Sequence, residues 1–308
     1  MTIVNPTDPT ESEMLLQRNI EAEGIRRRRV RRVRQTAGKG LRLLILTAFG
    51  LIFALPLYWM LATSLKVESQ IFVYPPVWFP NPIKWQNYVR AVTAIPFLMY
   101  AGNTLTIAVL SMIGQVVSSS LVGYGFARIR WPGRDIVFIL VLSTMMLPYQ
   151  VTMIPLYVVF RNLDWINTLK PLIIPSFFGY AFNIFLFRQF FKSIPSELSD
   201  AARIDGCNEF NIYWRIILPL SKPVLATVAL FDFLYNWNDF QGPLIYLHDE
   251  KNYTLSLGLQ AFGGYYSRNL EPATLMAAAA IVVLPTILIF FLAQRTFIQG
   301  VTMTGIKG

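Results

Sequence analysis

The sequence has little of what a soluble enzyme or a metalloprotein needs. Only 14% of its 308 residues are charged, whereas a soluble domain carries about 25%. It has one cysteine, Cys207, and one histidine, His248. An internal disulfide therefore cannot form, and a His/Cys metal site is not expected. A membrane-embedded enzyme, which needs a nucleophile with its base or a metal cluster, is also disfavoured by this composition.

Long apolar runs take the place of the missing charge. The chain is 54% hydrophobic, and its mean hydropathy is +0.46. Runs of about 20 apolar residues are long enough to cross about 30 Å of hydrocarbon as helices. The sequence therefore predicts an all-α polytopic membrane protein with six transmembrane helices, at residues 43–65, 96–126, 136–160, 172–191, 216–240 and 273–293.

Prolines predict irregular spans. Pro148 and Pro155 are expected to kink the third span, because proline lacks the backbone donor that a helix needs. The fourth span is expected to be interrupted by Pro175, Gly179 and Asn183.

The distribution of basic residues predicts the orientation. Most of the 27 Lys and Arg lie near the two termini, in the second-to-third connection and in the fourth-to-fifth connection. Basic loops stay on the cytoplasmic side, so both termini and the loop at about 192–219 are predicted to be cytoplasmic. Residues 1–40 are predicted to form a flexible basic tail, and residues 41–308 a transmembrane domain. We relate the net charge of +10 to this orientation and to attraction by anionic membrane lipid. We do not relate it to nucleic-acid binding, since no recognisable nucleic-acid-binding domain accompanies the tail.

The cytoplasmic loop predicts a short helix, a glycine stop and a second helix. Pro195 suits the first turn of a helix, and Glu197 and Asp200 lie near its start, where the helix dipole favours negative charge. Gly206 suits the left-handed conformation that ends a helix. On the water side of a membrane protein this element is typical either of a docking site or of an amphipathic connector packed on its own helices.

The spacing in this loop resembles the coupling motif of ATP-binding-cassette (ABC) importer permeases. That motif reads Glu-Ala-Ala, three residues, Gly, nine residues, Ile, one residue and Leu-Pro. The matching residues are Asp200, Ala201, Ala202, Gly206, Ile216, Leu218 and Pro219. Asp200 replaces the family's glutamate, which keeps the charge and shortens the side chain. The resemblance implies a coupling helix that seats in a cleft of a separate ATPase subunit.

Other segments resemble the carbohydrate-uptake, maltose-transporter-like class of these permeases. They are residues 146–148, 154–157, 237–240 and 294–308. The resemblance implies the six-span second permease of a pair, in an ATP-driven, binding-protein-dependent sugar importer of a prokaryotic cytoplasmic (inner) membrane. The implied partners are a second homologous permease, two ABC ATPase subunits and an extracytoplasmic sugar-binding protein.

This chain is not expected to hydrolyse ATP. Its nearest phosphate-loop pattern, Gly300 to Lys307, lacks adjacent Gly-Lys and a following Ser or Thr. No cofactor and no metal are therefore expected in this chain, and ATP with Mg²⁺ is expected on the partner ATPases.

A polar face on the fifth predicted span is the candidate substrate path. Asp232, Asn236 and Asp239 are four and three residues apart, which places them on one side of a helix. They predict either a polar wall of the sugar path or interhelical hydrogen bonds that hold two permeases together. Trp237 is expected to stack on a sugar or to anchor at the membrane interface. An ion-coupled secondary carrier is the alternative function, although it needs paired ionisable residues deep in several spans and the main one here is Asp232.

Overall fold

The computed structural model describes residues 11–263 and 272–305, and within those ranges the regular elements are helical. The α-helices, in chain order, are α1 Glu11–Ser64, α2 Gln86–Thr93, α3 Phe97–Arg128, α4 Arg134–Ser143, α5 Tyr149–Asn162, α6 Lys170–Ile173, α7 Ala181–Ser193, α8 Ser196–Ile204, α9 Glu209–Ile212, α10 Leu218–Leu220, α11 Lys222–Asn238, α12 Gln241–Tyr246, α13 Leu255–Gly263 and α14 Pro272–Gly305. Short 3₁₀ turns lie at Glu68–Gln70, Thr144–Met146, Ile174–Phe178 and Glu250–Asn252, and a π-helical turn lies at Tyr213–Ile217.

By length and composition, the described helices provide four membrane spans, or six if each bent helix pair is one span. Four segments are long and apolar enough to cross alone: Gly38–Ser64, Phe97–Arg128, Lys170–Ser193 and Pro272–Ala293. Two bent helix pairs pass the same test when each pair is taken together: Arg134–Met146 with Tyr149–Asn162, and Glu209–Leu220 with Lys222–Asn238. Counting each pair as one span gives the six that the sequence predicts, and the all-helical polytopic class is confirmed.

The third span bends by 98° beside Pro148. Leu147 and Pro148 are extended, with ψ angles of 115° and 139°. The residue before a proline avoids helical angles, and the proline itself cannot donate to the preceding turn. The kink predicted at Pro148 is thus confirmed, whereas α5 continues through Pro155.

The fifth span is not the continuous helix predicted for residues 216–240. An 80° bend separates Glu209–Leu220 from Lys222–Asn238. Ser221, at the break, has φ −99° and ψ 14°, and Pro223 occupies the first turn of α11, where it needs no backbone partner. The Ile-x-Leu-Pro part of the coupling motif therefore lies before the bend, and not in the same helix as Asp232.

The fourth span is irregular, as predicted, but only in its first half. The 3₁₀ turn contains Pro175, and Gly179 follows it with φ +81°. The prediction that Asn183 also interrupts the span is wrong, because Asn183 lies inside α7 and is buried.

The chain divides into two compact units, residues 1–60 and 61–308. In the first unit, α1 begins at Glu11, inside the tail that the sequence predicts to be flexible. The flexibility of that tail and the predicted boundary near residue 40 stay predictions.

In the second unit, α3 is the central helix and packs against α7 and α11. A buried cluster at one end joins Tyr124 of α3, Phe187 and Phe191 of α7, Ile212 of α9 and Val228 of α11. Gly123 lets α3 approach α7 closely, because an added Cβ would lie 2.6 Å from the Cβ of Phe187. This cluster fixes the segment around α8 and α9 to the spans.

Candidate functional site

The predicted helix and glycine stop are both present. α8 follows the extended Pro195 and ends at Ile204, and Gly206 has φ +80°. No atom lies within 4 Å of an added Cβ at Gly206, so this glycine is needed for its left-handed backbone and not for space. Asn208 then caps α9 by accepting a hydrogen bond from the Asn211 amide at 2.8 Å.

The two alanines of the motif face opposite ways. Ala202 is buried in the cluster that joins the loop to α7, whereas Ala201 is exposed. Ile204 is 87% exposed, and Leu198 is also exposed. One side of α8 therefore packs on the permease, and the other presents a small apolar surface.

Two exposed aromatic side chains follow the Gly206 turn. Phe210 and Trp214 are exposed, and their rings stack with centroids 6.5 Å apart at 9°. We define the coupling face as Leu198, Ala201, Ile204, Phe210 and Trp214. A large exposed apolar patch rimmed by polar residues is typical of a protein interaction site, and the coupling face is our candidate for one.

A charged bridge crosses the Gly206 turn. The Arg203 guanidinium donates to Asp200 at 2.7 Å and to Glu209 at 2.8 Å. The hydroxyl of Tyr124 donates to the other oxygen of Glu209 at 2.6 Å. The Glu209 hydrogen bond is the largest of the contacts that raise the pKa of Arg203 above its ordinary value. The sequence does not indicate that Arg203, Glu209 and Tyr124 form a hydrogen-bonded bridge. The one local signal is the spacing of Arg203, three residues after Asp200.

The last three motif residues, Ile216, Leu218 and Pro219, lie where the loop enters the fifth span. Ile216 and Leu218 are half-buried and pack against the same cluster, in which Ile217 is fully buried. Pro219 is exposed in the short α10, next to the bend at Ser221. All seven motif residues thus belong to one segment, residues 200–219, anchored on α3, α7 and α11.

The polar face of α11 is engaged within this chain. Asp232 accepts a hydrogen bond from the Asn183 amide of α7 at 3.0 Å. Asn236 donates to the backbone carbonyl of Asp232 at 2.8 Å. The structure therefore brings Asp232 and Asn236 together and links the fourth span to the fifth.

Trp237 and Asp239 lie at the C-terminal end of α11. Trp237 is 7% exposed, and its indole N–H donates to the Val282 carbonyl of α14 at 3.1 Å. A carboxylate oxygen of Asp239 accepts from the Gly242 amide at 3.2 Å, which starts α12. Both side chains are placed as packing and capping groups, and the indole of Trp237 does not present a free face on which a sugar could stack.

No group of three or more His, Cys, Asp or Glu able to hold a metal ion occurs among the described residues.

Residues 119–303 match the family described as binding-protein-dependent transport system inner membrane component. The chain belongs to this family. It is 33% identical to the arabinooligosaccharides transport system permease protein AraQ of Bacillus subtilis (strain 168), over 84% of this chain and 92% of that protein. It is 31% identical to the diacetylchitobiose uptake system permease protein DasC of Streptomyces coelicolor, over 84% and 93% of the two chains.

The permease fold is also that of a solved transporter. A chain in the crystal structure of a bacterial ABC transporter involved in import of the acidic polysaccharide alginate superposes with a TM-score of 0.72 and 25% identity, over 83% of this chain and 94% of that one. The prediction of a multi-pass inner-membrane ABC importer permease is thereby confirmed. The ion-coupled carrier is not favoured.

Proposed function

We propose that this permease imports carbohydrate and that α8 is the element through which partner ATPases drive it. The observation that carries the proposal is the geometry of the motif: its glycine closes a turn, its second alanine packs inward, and its first alanine lies on an exposed apolar helix face. Docking in a cleft of an ATPase subunit would remove this apolar face from water, which is energetically favourable.

The construction of the segment supports force transmission. A short helix held by Arg203 and by a buried cluster moves as a unit with α3, α7 and α11, whereas an unanchored loop would absorb the displacement. Coupling requires that the ATPases contact this segment differently in their two states. Closure of the ATPases would then switch the permease between inward-facing and outward-facing states.

The proposed assembly contains two ATPase subunits, a second homologous permease and an extracytoplasmic sugar-binding protein. ATP and Mg²⁺ belong on the ATPase subunits, and this chain contributes no catalytic residue. Both termini and α8 face the cytoplasm in this proposal, in keeping with the basic residues beside them.

Carbohydrate is proposed from the relatives. Those named above are a permease for arabinooligosaccharides and one for diacetylchitobiose. Asp232 and Asn236 are the proposed polar groups of the path, since polar side chains within a membrane bundle line its interior. Trp237 and Asp239 are proposed to hold the end of the path in shape and not to touch the sugar.

Co-purification of partners with a tagged chain tests the docking proposal. Ile204→Asp places a charge on the coupling face without disturbing the buried side of α8, so an ATP-binding partner should be lost. Val89→Asp is the matched control, because Val89 is an exposed apolar residue on the short helix α2. Equal recovery of the ATPase with both variants would refute docking through α8.

A further inference from the structure

The turn between the second and third spans contains a basic cavity that the coupling mechanism does not use. The cavity has a volume of about 340 Å³. It is lined by Arg130, Trp131, Gly133, Arg134, Asp135 and Ile136.

The cavity is electropositive despite Asp135. The carboxylate of Asp135 lies 3.2 Å from the guanidinium of Arg134 and 3.2 Å from that of Arg188, so two cations offset its charge. Lys192 is close enough to act on the same carboxylate. Arg130 is exposed and makes no ion pair in the described part of the chain. The start of α4 adds the positive end of a helix dipole.

An apolar stripe continues from this cavity along α4. Ile136, Ile139 and Leu140 are all exposed, at 60% or more. Their spacing of three and four residues puts them on one side of the helix. α4 is the first half of a bent helix pair that is long and apolar enough to form one span, and on that basis we place the stripe in the hydrocarbon and the cavity at its surface. Trp131, also exposed, is the residue type enriched at that depth.

We propose that this turn binds the headgroup of an anionic phospholipid. The phosphate lies between Arg130 and Arg134, and the acyl chains follow Ile136, Ile139 and Leu140. Arginine suits the task because its guanidinium presents several donors to a phosphate. The charge complementarity and the continuous apolar stripe favour a lipid over a soluble phosphate, because a free phosphate has no apolar part to pack against the stripe. The proposal concerns the membrane surface alone and does not depend on which solute is carried.

Native mass spectrometry of the purified transporter, titrated with phosphatidylglycerol or phosphatidylcholine of the same acyl chains, tests the site. The wild type should retain phosphatidylglycerol preferentially. Arg130→Gln should weaken that binding about fivefold, which is the loss expected for one basic residue at a membrane surface. Arg130→Lys, which keeps the charge, should retain most of it.

Arg161→Gln is the matched control, because Arg161 is an exposed arginine at the opposite end of the same bent span. It should leave the preference unchanged. Equal binding of the two lipids by the wild type, or an equal loss with Arg130→Gln and Arg161→Gln, would overturn the proposal. Full competition by inorganic phosphate at millimolar concentration would overturn the lipid assignment and identify a site for the free anion.

Discussion

The guanidinium of Arg203 lies 2.8 Å from the carboxylate of Glu209, across the turn that Gly206 makes. This bridge joins the end of α8 to the start of α9, and through Tyr124 it reaches the central helix α3. Both polar contacts and buried apolar packing therefore hold the segment of residues 200–219 on the spans.

Glu209→Gln should uncouple ATP hydrolysis from transport. Glutamine keeps the size and the acceptor for Tyr124 but removes the charge that holds Arg203. Because the pair is partly exposed, the free energy of unfolding should change by less than about 1 kcal/mol, whereas solute moved per ATP should fall. Lys251→Gln breaks another exposed ion pair, with Asp249 at 3.5 Å, and is the control. Identical coupling ratios in the two variants would show that the bridge has no role in transmission.

Substitutions at Gly206 should separate backbone strain from loss of space. Gly206→Val forces a β-branched residue to φ +80°, at a cost of about 1–3 kcal/mol, and should impair ATPase docking. Gly206→Asn should largely preserve it, because asparagine tolerates left-handed angles. Recovery of the ATPase partner with each tagged variant measures the difference. Normal recovery with valine would mean that this turn does not define the docking helix.

Gly123→Ala should destabilise the bundle. The new Cβ would lie 2.6 Å from the Cβ of Phe187, so α3 and α7 must separate, at a cost of about 1–3 kcal/mol. Gly125→Ala, two residues along the same helix, meets no atom within 4 Å and should be neutral or slightly stabilising. Thermal unfolding of the two variants in detergent provides the comparison. A melting temperature that is lower for Gly125→Ala than for Gly123→Ala would contradict this packing.

Asp232→Leu should be more damaging than Asp232→Asn. Leucine leaves the Asn183 amide, which donates to Asp232 at 3.0 Å, without an acceptor, at a cost of about 1–3 kcal/mol. Asparagine retains an acceptor oxygen, so folding should survive. If Asp232 also belongs to the solute path, Asp232→Asn should lower transport while its melting temperature stays near that of the wild type. Unchanged transport by a folded Asp232→Asn protein would restrict this residue to helix packing.

The features that follow from local sequence were the predictable ones. Apolar runs identify the spans because only a helix satisfies its backbone inside a membrane. The Gly206 turn and the bend at Pro148 each follow from the conformational limits of one residue. The motif could be recognised from its spacing because all its residues lie within 20 positions of one another.

The features that depend on distant neighbours were not predictable. The bend at Ser221 is one example. The sequence there is an apolar run with two prolines, and it does not indicate whether the helix continues or breaks. Trp237 was expected to stack on a sugar or to anchor at the membrane interface, and no nearby residue indicates its hydrogen-bond partner, the Val282 carbonyl, which is 45 residues away. The contact of Tyr124 with Glu209 spans 85 residues, and no periodicity in either segment indicates it.

Site-specific crosslinking from α8 is the most direct test of the central claim. Cys207 is the only cysteine, so Cys207→Ser provides a background in which Ile204→Cys carries the sole thiol. In native membranes this thiol should crosslink to an ATP-binding subunit, and the yield should change when ATP is added. Phe72→Cys, at an exposed position on the other predicted side of the membrane, should not crosslink to that subunit. A crosslink to the ATPase from position 72 and none from position 204 would contradict the account.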